Sequence, residues 1–168
     1  ASEAPIRAYL AEHARKQEVQ RAFSLYVAPT VVDQLLEDPR RLSLGGEKRE
    51  ITVMFTDVRG FTTISEGLEP KDLSSLMNEF LTPLTEVIYS HRGTIDKYMG
   101  DCIMAFWGAP VKDPLHARHA LNAAVEMIAS LNTLNDEFKK KGWPEIRVGV
   151  GVNSGPMNVG NKGSDFRV

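Results

Sequence analysis

The stretch that decides the fold of this chain runs from Thr94 to Gly108 and reads TIDKYMGDCIMAFWG. Two short runs rich in β-branched, aromatic and apolar residues, Thr94–Tyr98 and Cys102–Trp107, flank the pair Met99-Gly100. A glycine-containing turn between two such runs predicts a tight β-hairpin. Asp101 stands where the chain leaves this turn.

A helix is predicted on each side of the hairpin. Upstream, Pro70–Tyr89 repeats apolar residues at the three- and four-residue spacing of one buried face, and Pro83 is expected to kink it. Downstream, Asp113-Pro114 predicts a helix start, and a run of lysines before Gly142 predicts its end. The apolar stripe that we expect this second helix to bury comprises Leu121, Ala124, Val125, Ile128, Leu131, Leu134 and Phe138.

Two further strands complete the pattern. Ile51–Phe55 reads as a buried strand, Gly60 breaks the chain direction after it, and Phe61–Glu66 reads as a short helix. Ile146–Val152 alternates valine with glycine, which predicts one valine face and one bare face, with Gly155-Pro156 ending the strand. Bare backbone favours close approach by a ligand or a partner chain, although it also fits a weakened strand beneath a helix. The order β-α-β-β-α-β predicts an α+β, ferredoxin-like fold, with helices on one face of a four-stranded antiparallel sheet.

The first part of the chain differs from the rest. Ala8–Phe23 is rich in helix formers, and a second short helix is expected from Pro29 to just before Pro39. The polar segment 40–50 contains Gly45-Gly46 and reads as a boundary loop. We therefore expect residues 1–41 to be a helical segment and residues 42–168 to be the main domain. Two interpretations of residues 1–41 remain open: a solvated arm, or a connector from an upstream regulatory or membrane domain.

Composition excludes several classes of function. The net charge is −2, and the lysines and arginines form no dense stripe, which argues against nucleic acid as a partner. Cys102 is the one cysteine, so no intramolecular disulfide forms, and a reducing compartment such as the cytoplasm fits. No run approaches the roughly 18 apolar residues of a membrane helix.

Two aspartates stand at the ends of apolar strands. Asp57 follows the first strand, and Asp101 precedes the third. In the predicted fold these two strands are antiparallel neighbours, so both carboxylates should reach the same edge of the sheet. Carboxylate oxygens suit Mg²⁺ or Mn²⁺, and two such ions can hold the attacking and leaving oxygens of a phosphoryl displacement. The residues after Asp57, Val58 to Thr62, form a turn that opens a helix, and its free N–H groups can hold phosphate.

Four motifs closely resemble the signatures of class III nucleotidyl cyclases, in particular the bacterial adenylate cyclases. They are FTDVRGFT (55–62), IDKYMGD (95–101), VGVGVNSG (148–155) and VGN (159–161). The resemblance covers roughly residues 42–168, and residues 23–39 resemble the connector that precedes such domains in bacterial members. It implies a catalytic domain of intracellular signalling that converts ATP to 3′,5′-cyclic AMP and pyrophosphate.

The resemblance also implies roles for individual residues. Asp57, Asp101 and the backbone carbonyl of Val58 would bind two Mg²⁺ or Mn²⁺ ions, which activate the ribose 3′-hydroxyl and neutralise the departing pyrophosphate. The backbone N–H groups of Gly60, Phe61 and Thr62 would bind the phosphates.

Lys97 is the residue that the resemblance assigns to base selection. Adenine N1 accepts a hydrogen bond and an ammonium only donates, whereas guanine N1 carries a hydrogen and prefers a carboxylate. In the family a lysine at this place goes with ATP and a glutamate with GTP. The site forms between two chains arranged head to tail, so Lys97 would serve the site whose aspartates belong to the partner of a homodimer.

The resemblance includes parts that this chain does not contain. The family has, beyond the position of Val168, a strand with a second base-selecting residue and a helix with an Asn and an Arg that stabilise the transition state. We therefore expect the 168 residues alone to be inactive or impaired. The alternatives are a guanylate cyclase and an inactive cyclase-like module that dimerises and binds nucleotide. A diguanylate cyclase is a more distant alternative, because its Gly-Gly-Asp/Glu-Glu-Phe hairpin is absent.

Overall fold

A computed structural model of the chain describes residues 28–38 and 46–160, together with two isolated helical positions, 14 and 17. Apart from those two positions, the predicted helix Ala8–Phe23 lies outside the described residues. The elements in chain order are α1 (Pro29–Glu37), β1 (Glu47–Val58), α2 (Phe61–Glu66), α3 (Pro70–Ser90), β2 (Thr94–Met99), β3 (Cys102–Trp107), α4 (His116–Lys140) and β4 (Val148–Val159).

The four strands form one antiparallel sheet in the order β2-β3-β1-β4. This is the strand order of the ferredoxin-like arrangement, so the predicted fold is confirmed. The pairing of β1 with β3 brings the C-terminal end of β1 beside the N-terminal end of β3. The fold therefore joins the two sequence regions that carry Asp57 and Asp101.

The main core lies between one face of the sheet and the helices α3 and α4. Trp107 is fully buried there, and its indole N–H donates a hydrogen bond to the His91 carbonyl at 2.8 Å. The largest other fully buried side chains are Phe80, Phe138, Met54, Leu76, Leu84, Ile88, Ile95, Ile103 and Met127. The helix α3 continues through Pro83, and its buried residues lie on the face predicted from the sequence.

Both β1 and β4 are longer than their hydrophobic patterns predict. The polar residues Glu47–Glu50, expected in a loop, pair with residues 156–159 of β4. Pro156, expected to end β4, lies inside it and pairs with Glu50. In the described sheet β4 is an edge strand, where a residue without an N–H group disturbs the ladder least. The hydrophobic pattern did not predict these parts of the strands because backbone pairing with the neighbouring strand, rather than burial, holds them in place.

The helix α4 corrects two expectations about its start and its buried face. It begins at His116, because Asp113 caps the preceding turn through the Leu115 amide at 2.9 Å. Three members of the predicted stripe, Leu121, Val125 and Ile128, are exposed by 59, 64 and 44%. Ala124, Leu131 and Phe138 of the predicted stripe are buried, together with Ala120, Ala123 and Met127. Small alanines at the contact let the helix lie close to the sheet, which turns the larger aliphatic side chains outward.

The short helix α1 packs beside the turn between α3 and β2. Ala28 and Val32 are buried against Tyr89 and Val111. The Arg92 guanidinium donates a hydrogen bond to the Gln34 side-chain oxygen at 3.1 Å. Within the described residues, no helix combines the length and apolar character that crossing a bilayer requires.

A substitution at Gly93 should measurably destabilise the fold. A Cβ atom there would lie 2.5 Å from Ile88 Cγ2 and 2.8 Å from Trp107 Cζ2, both in the packed core. We expect Gly93→Ala to lower the free energy of unfolding by about 1–3 kcal/mol, the usual cost of overpacking. Urea denaturation followed by tryptophan fluorescence measures this change. The matched control is Gly155→Ala, because nothing lies within 4 Å of its added Cβ; equal stability of the two variants would contradict the prediction.

Candidate active site at the end of the central strands

The Asp101 carboxylate is tied directly to the end of β1. It lies in the turn between β2 and β3, and its Oδ2 accepts a hydrogen bond from the Val58 amide at 2.9 Å. Asp57 is the residue before Val58, and its side chain is exposed. The half-buried Asp101 and the exposed Asp57 therefore both lie next to the peptide unit that joins Asp57 to Val58, at one end of the sheet.

A second hydrogen bond fixes the same junction. The regular β1–β3 ladder ends at the pair Phe55 and Met104. Beyond it, the buried Ile103 amide donates to the Thr56 hydroxyl at 3.0 Å. Side-chain oxygens of Thr56 and Asp101 thus replace backbone acceptors where the two strands separate.

Cys102 reports on the electrostatics of this junction. Burial raises the pKa of its thiol above the ordinary value, and the negative charges of Asp101 and Asp57 raise it further. A hydrogen bond from the Thr56 backbone lowers the pKa; it is a smaller influence than burial but a larger one than either carboxylate. The thiol therefore stays protonated at neutral pH, and both carboxylates lie near enough to act on it.

The turn after Asp57 has the backbone that its sequence requires. Gly60 adopts φ 68°, in the left-handed region that glycine enters without steric cost. Its carbonyl accepts a hydrogen bond from the Ile64 amide at 3.2 Å, which starts α2 over the predicted residues. Phe61 and Thr62, predicted with Gly60 to contact phosphates, form the first turn of that short helix.

Lys97 lies on the face of the sheet that α3 and α4 leave free. It pairs with Met104, which in turn pairs with the 45% exposed Phe55. A bulge between Ile95 and Lys97 places Asp96 as an extra residue. Without the bulge, strict alternation would direct Lys97 to the same side as the buried Ile95.

Beside this bulge, the Asp96 carboxylate lies close to the Lys97 ammonium. The two side chains form an exposed ion pair, with Asp96 Oδ2 3.8 Å from Lys97 Nζ. An exposed pair at this distance contributes little to stability, so the lysine side chain is free to exchange its partner.

At Gly149, the bare face of β4 is covered by a residue that the sequence analysis did not single out. Gly149 pairs with Asp57, and the guanidinium of Arg59 lies over its Cα. The Arg59 amide donates to the Arg147 carbonyl at 2.8 Å, which brings the start of β4 beside the same turn. Residue type alone gave no reason to single out Arg59. The available signal was its place two residues after Asp57.

The donor set fits hard divalent cations only in part. Asp57 and Asp101 offer carboxylate oxygens, and Val58 adds a carbonyl between them, which are ligands that Mg²⁺ and Mn²⁺ accept. Across residues 28–38 and 46–160, no group of three or more His, Cys, Asp or Glu side chains forms a complete metal cage. Two carboxylates with the remaining ligands from phosphate and water is the usual arrangement for Mg²⁺ in phosphate chemistry. The residues present therefore fit a metal that binds together with a phosphorylated substrate.

An antiparallel sheet with two helices on one face, and an acidic site where its central strands separate, defines the class of this domain. The chain belongs to the adenylate and guanylate cyclase catalytic domain family, whose model matches residues 46–167. Proteins of this family are generally metal-dependent.

Curated relatives and solved structures agree with this membership. Adenylate cyclase 1 of Rhizobium meliloti (strain 1021) is 34% identical over 154 residues, which are 92% of this chain and 23% of that protein. The guanylyl cyclase Cya2 structure is 39% identical with a TM-score of 0.71, covering 74% of this chain and 63% of that one. The adenylyl cyclase CyaB from P. aeruginosa is 34% identical with a TM-score of 0.71, covering 74% of this chain and 65% of that one.

Two further solved relatives concern ligands and assembly. One is a rhodopsin-guanylyl cyclase catalytic core with converted specificity, in complex with ATPαS, at 28% identity and a TM-score of 0.65. The other is a non-canonical dimeric guanylyl cyclase domain of the RhoGC fusion protein from the aquatic fungus Blastocladiella emersonii, at 27% identity and a TM-score of 0.63, covering 73% of this chain and 67% of that one. Cyclase domains of this family thus bind nucleotides and form dimers.

Proposed function

We propose that this chain carries the catalytic domain of an adenylate cyclase, which converts ATP to 3′,5′-cyclic AMP and pyrophosphate. The observation that carries the proposal is the junction of β1 and β3, where Asp101 accepts the Val58 N–H at 2.9 Å next to Asp57. Membership of the cyclase family indicates that this junction supports cyclisation of a nucleoside triphosphate. The chain spans 23% of the length of the R. meliloti relative, so the activity of the whole protein is part of the proposal.

In the proposed site, Asp57, Asp101 and the Val58 carbonyl bind Mg²⁺ or Mn²⁺. The metals supply Lewis-acid activation of the 3′-hydroxyl and charge neutralisation at the phosphates. The hydrogen bond from Val58 orients the Asp101 carboxylate before a ligand arrives, so less ordering is required on binding. The Gly60 turn offers the N–H groups of Phe61 and Thr62 to the phosphates.

The site is proposed to form between two copies of the chain. Strands lie about 4.8 Å apart, and residues rise about 3.3 Å along a strand, so Lys97 lies roughly 12 Å from Asp57 across β3. The partly open sheet face between them presents Phe55, Met104 and Phe106 as apolar contact surface. A head-to-tail homodimer covers this face and brings Lys97 of one copy to the aspartates of the other.

The setting of the domain is also proposed. A substrate such as ATP and a single cysteine fit the cytoplasm. Residues 1–41 serve as a helical connector to a regulatory or membrane domain, and residues 42–168 belong to the catalytic domain. The contact of α1 with Tyr89 and Arg92 supports a connector that touches the catalytic domain.

The choice of base is tested by Lys97→Glu. Its carboxylate accepts from guanine N1–H and repels the unprotonated adenine N1, so we expect the GTP/ATP ratio of kcat/KM to rise at least about a hundredfold. Product formation from each nucleotide by the longest active form of the protein, separated by chromatography, measures the ratio. The matched control is Lys71→Glu, an equal charge change in the exposed first turn of α3. An unchanged ATP preference would refute the role of Lys97.

A guanylate cyclase is the second candidate. It is favoured by the 39% identity to the guanylyl cyclase Cya2, which exceeds the identity to the adenylyl cyclase CyaB. The wild-type chain separates the two candidates by its own nucleotide preference. If the longest available form of the protein bound nucleotide but turned over neither ATP nor GTP, the result would instead support an inactive module.

A further inference from the structure

The guanidinium of Arg59 lies directly over Gly149, in a position that a Cβ atom on residue 149 would block. A Cβ atom on Gly149 would lie 2.8 Å from Nη2, 3.1 Å from Cζ and 3.2 Å from Nε of Arg59. Three atoms of the planar group at similar distances mean that the guanidinium lies flat on the β4 backbone. The next glycine on the same face, Gly151, has nothing within 4 Å of its added Cβ.

This position over Gly149 places the positive charge of Arg59 on the same side of the sheet as the Asp57 carboxylate. Gly149 and Asp57 are paired residues of β4 and β1, and directly paired residues face the same side of a sheet. The backbone of Arg59 is held as well, because its amide donates to the Arg147 carbonyl at 2.8 Å. Both ends of the residue are therefore positioned next to the acidic junction.

The charged end of Arg59 is unused within the described structure. The residue is exposed, and among residues 28–38 and 46–160 its guanidinium has neither a hydrogen-bond nor an ion-pair partner. A guanidinium presents five N–H donors in a rigid fork that matches phosphate oxygens. An arginine held in place without a protein partner, beside a cation site, is arranged to receive an anion.

We propose that Arg59 is a substrate-binding residue that contacts the polyphosphate of the nucleoside triphosphate, and that Gly149 positions it for that contact. The inference rests on the nucleotide site proposed above and adds one residue to it. Metal ions at Asp57 and Asp101 neutralise part of the polyphosphate charge, and Arg59 neutralises a further part. Its fork binds oxygens that the metals leave free.

Binding measurements on the 168-residue chain test this proposal without requiring turnover. Isothermal titration with Mn²⁺ and α,β-methylene-ATP, which cannot release pyrophosphate, gives the affinity for the triphosphate. We expect Arg59→Ala to weaken this affinity roughly 10- to 100-fold, the range for a hydrogen bond to a charged group. Inorganic tripolyphosphate should lose a similar factor, whereas adenosine should lose less than about twofold. Arg118→Ala, the removal of an exposed arginine in the first turn of α4, is the control and should change none of these.

The positioning of Arg59 by Gly149 is tested by Gly149→Ala and Gly151→Ala. The added Cβ at position 149 displaces the guanidinium, so triphosphate affinity should fall, whereas the same change at position 151 should leave it unaltered. Gly149→Ala should have no further effect in an Arg59→Ala background, because its target is already gone. Independent effects of the two substitutions would overturn the positioning role of Gly149.

The outcomes also separate this proposal from the proposed function. If the nucleotide site is wrong, the wild-type chain binds neither ligand in the presence of Mn²⁺. If the wild type binds and Arg59→Ala binds equally well, Arg59 is not a polyphosphate contact. A weaker dimer by sedimentation with unchanged triphosphate affinity would show that Arg59 pairs with a second copy of the chain, and would likewise overturn the proposal.

Discussion

Removing either strand-end carboxylate should abolish cyclic nucleotide formation. Asp57→Asn and Asp101→Asn each take a charged ligand from the proposed metals, which contribute several kcal/mol of transition-state stabilisation. We expect kcat/KM to fall about a thousandfold or more in the longest active form of the protein. Asparagine is chosen because its amide oxygen can still accept the Val58 N–H, so the junction of β1 and β3 is preserved.

Metal binding provides the second measurement for these variants. Mn²⁺ titration of the 168-residue chain, with tripolyphosphate present, should show weaker binding for both. Asp96→Asn is the matched control, because it removes an exposed carboxylate whose ion-pair partner among the described residues is Lys97, at 3.8 Å. If the wild type and all three variants bound Mn²⁺ equally, the metal site would not be at this junction.

Two inactive variants should restore activity when they share a dimer. In a head-to-tail dimer, the aspartates of each site come from one copy and Lys97 from the other. A dimer of one Asp57→Asn copy and one Lys97→Glu copy then keeps one intact site. Random pairing makes about half of the dimers mixed, so coexpression should recover about a quarter of wild-type activity from two nearly inactive parents.

The control for this experiment uses two defects in the same half of the site. A mixture of Asp57→Asn and Asp101→Asn leaves every site with a damaged metal half, so no recovery is expected. Absence of recovery in the first mixture would mean that Lys97 and the aspartates of one site belong to the same copy. Recovery in this control would mean that the two aspartates of one site come from different copies. The readout is cyclic AMP formed per mole of dimer in the unfractionated mixture; mixed dimers isolated by two affinity tags should reach about half of wild-type activity.

Much of this fold was predictable from local patterns. The hairpin around Gly100, the short helix Phe61–Glu66 and the buried face of α3 follow from turn residues and from periodic apolar residues. Such features depend on neighbours within about two helical turns, which a single sequence displays. The order of these elements then left one simple antiparallel sheet topology, and that topology is confirmed.

The errors fall where long-range packing decides the outcome. The polar start of β1 and the segment after Pro156 are strands because they pair with each other, although neither has a strand pattern. Leu121, Val125 and Ile128 match a helical stripe, yet α4 presents its alanines to the sheet. Periodicity locates an apolar face, but the closest approach of two elements selects which part of that face is buried.

The sequence by itself determined the order of the elements, the identity of the two aspartates and the glycine turn after Asp57, because each is a local property of residue type and spacing. Only the tertiary structure decided how these residues are directed. A bulge at Asp96 turns Lys97 to the open face, and register pairs Gly149 with Asp57 so that Arg59, lying over Gly149, is on the same side of the sheet as Asp57. In a strand one residue of register reverses the side that a side chain faces, so its direction depends on the partner strand.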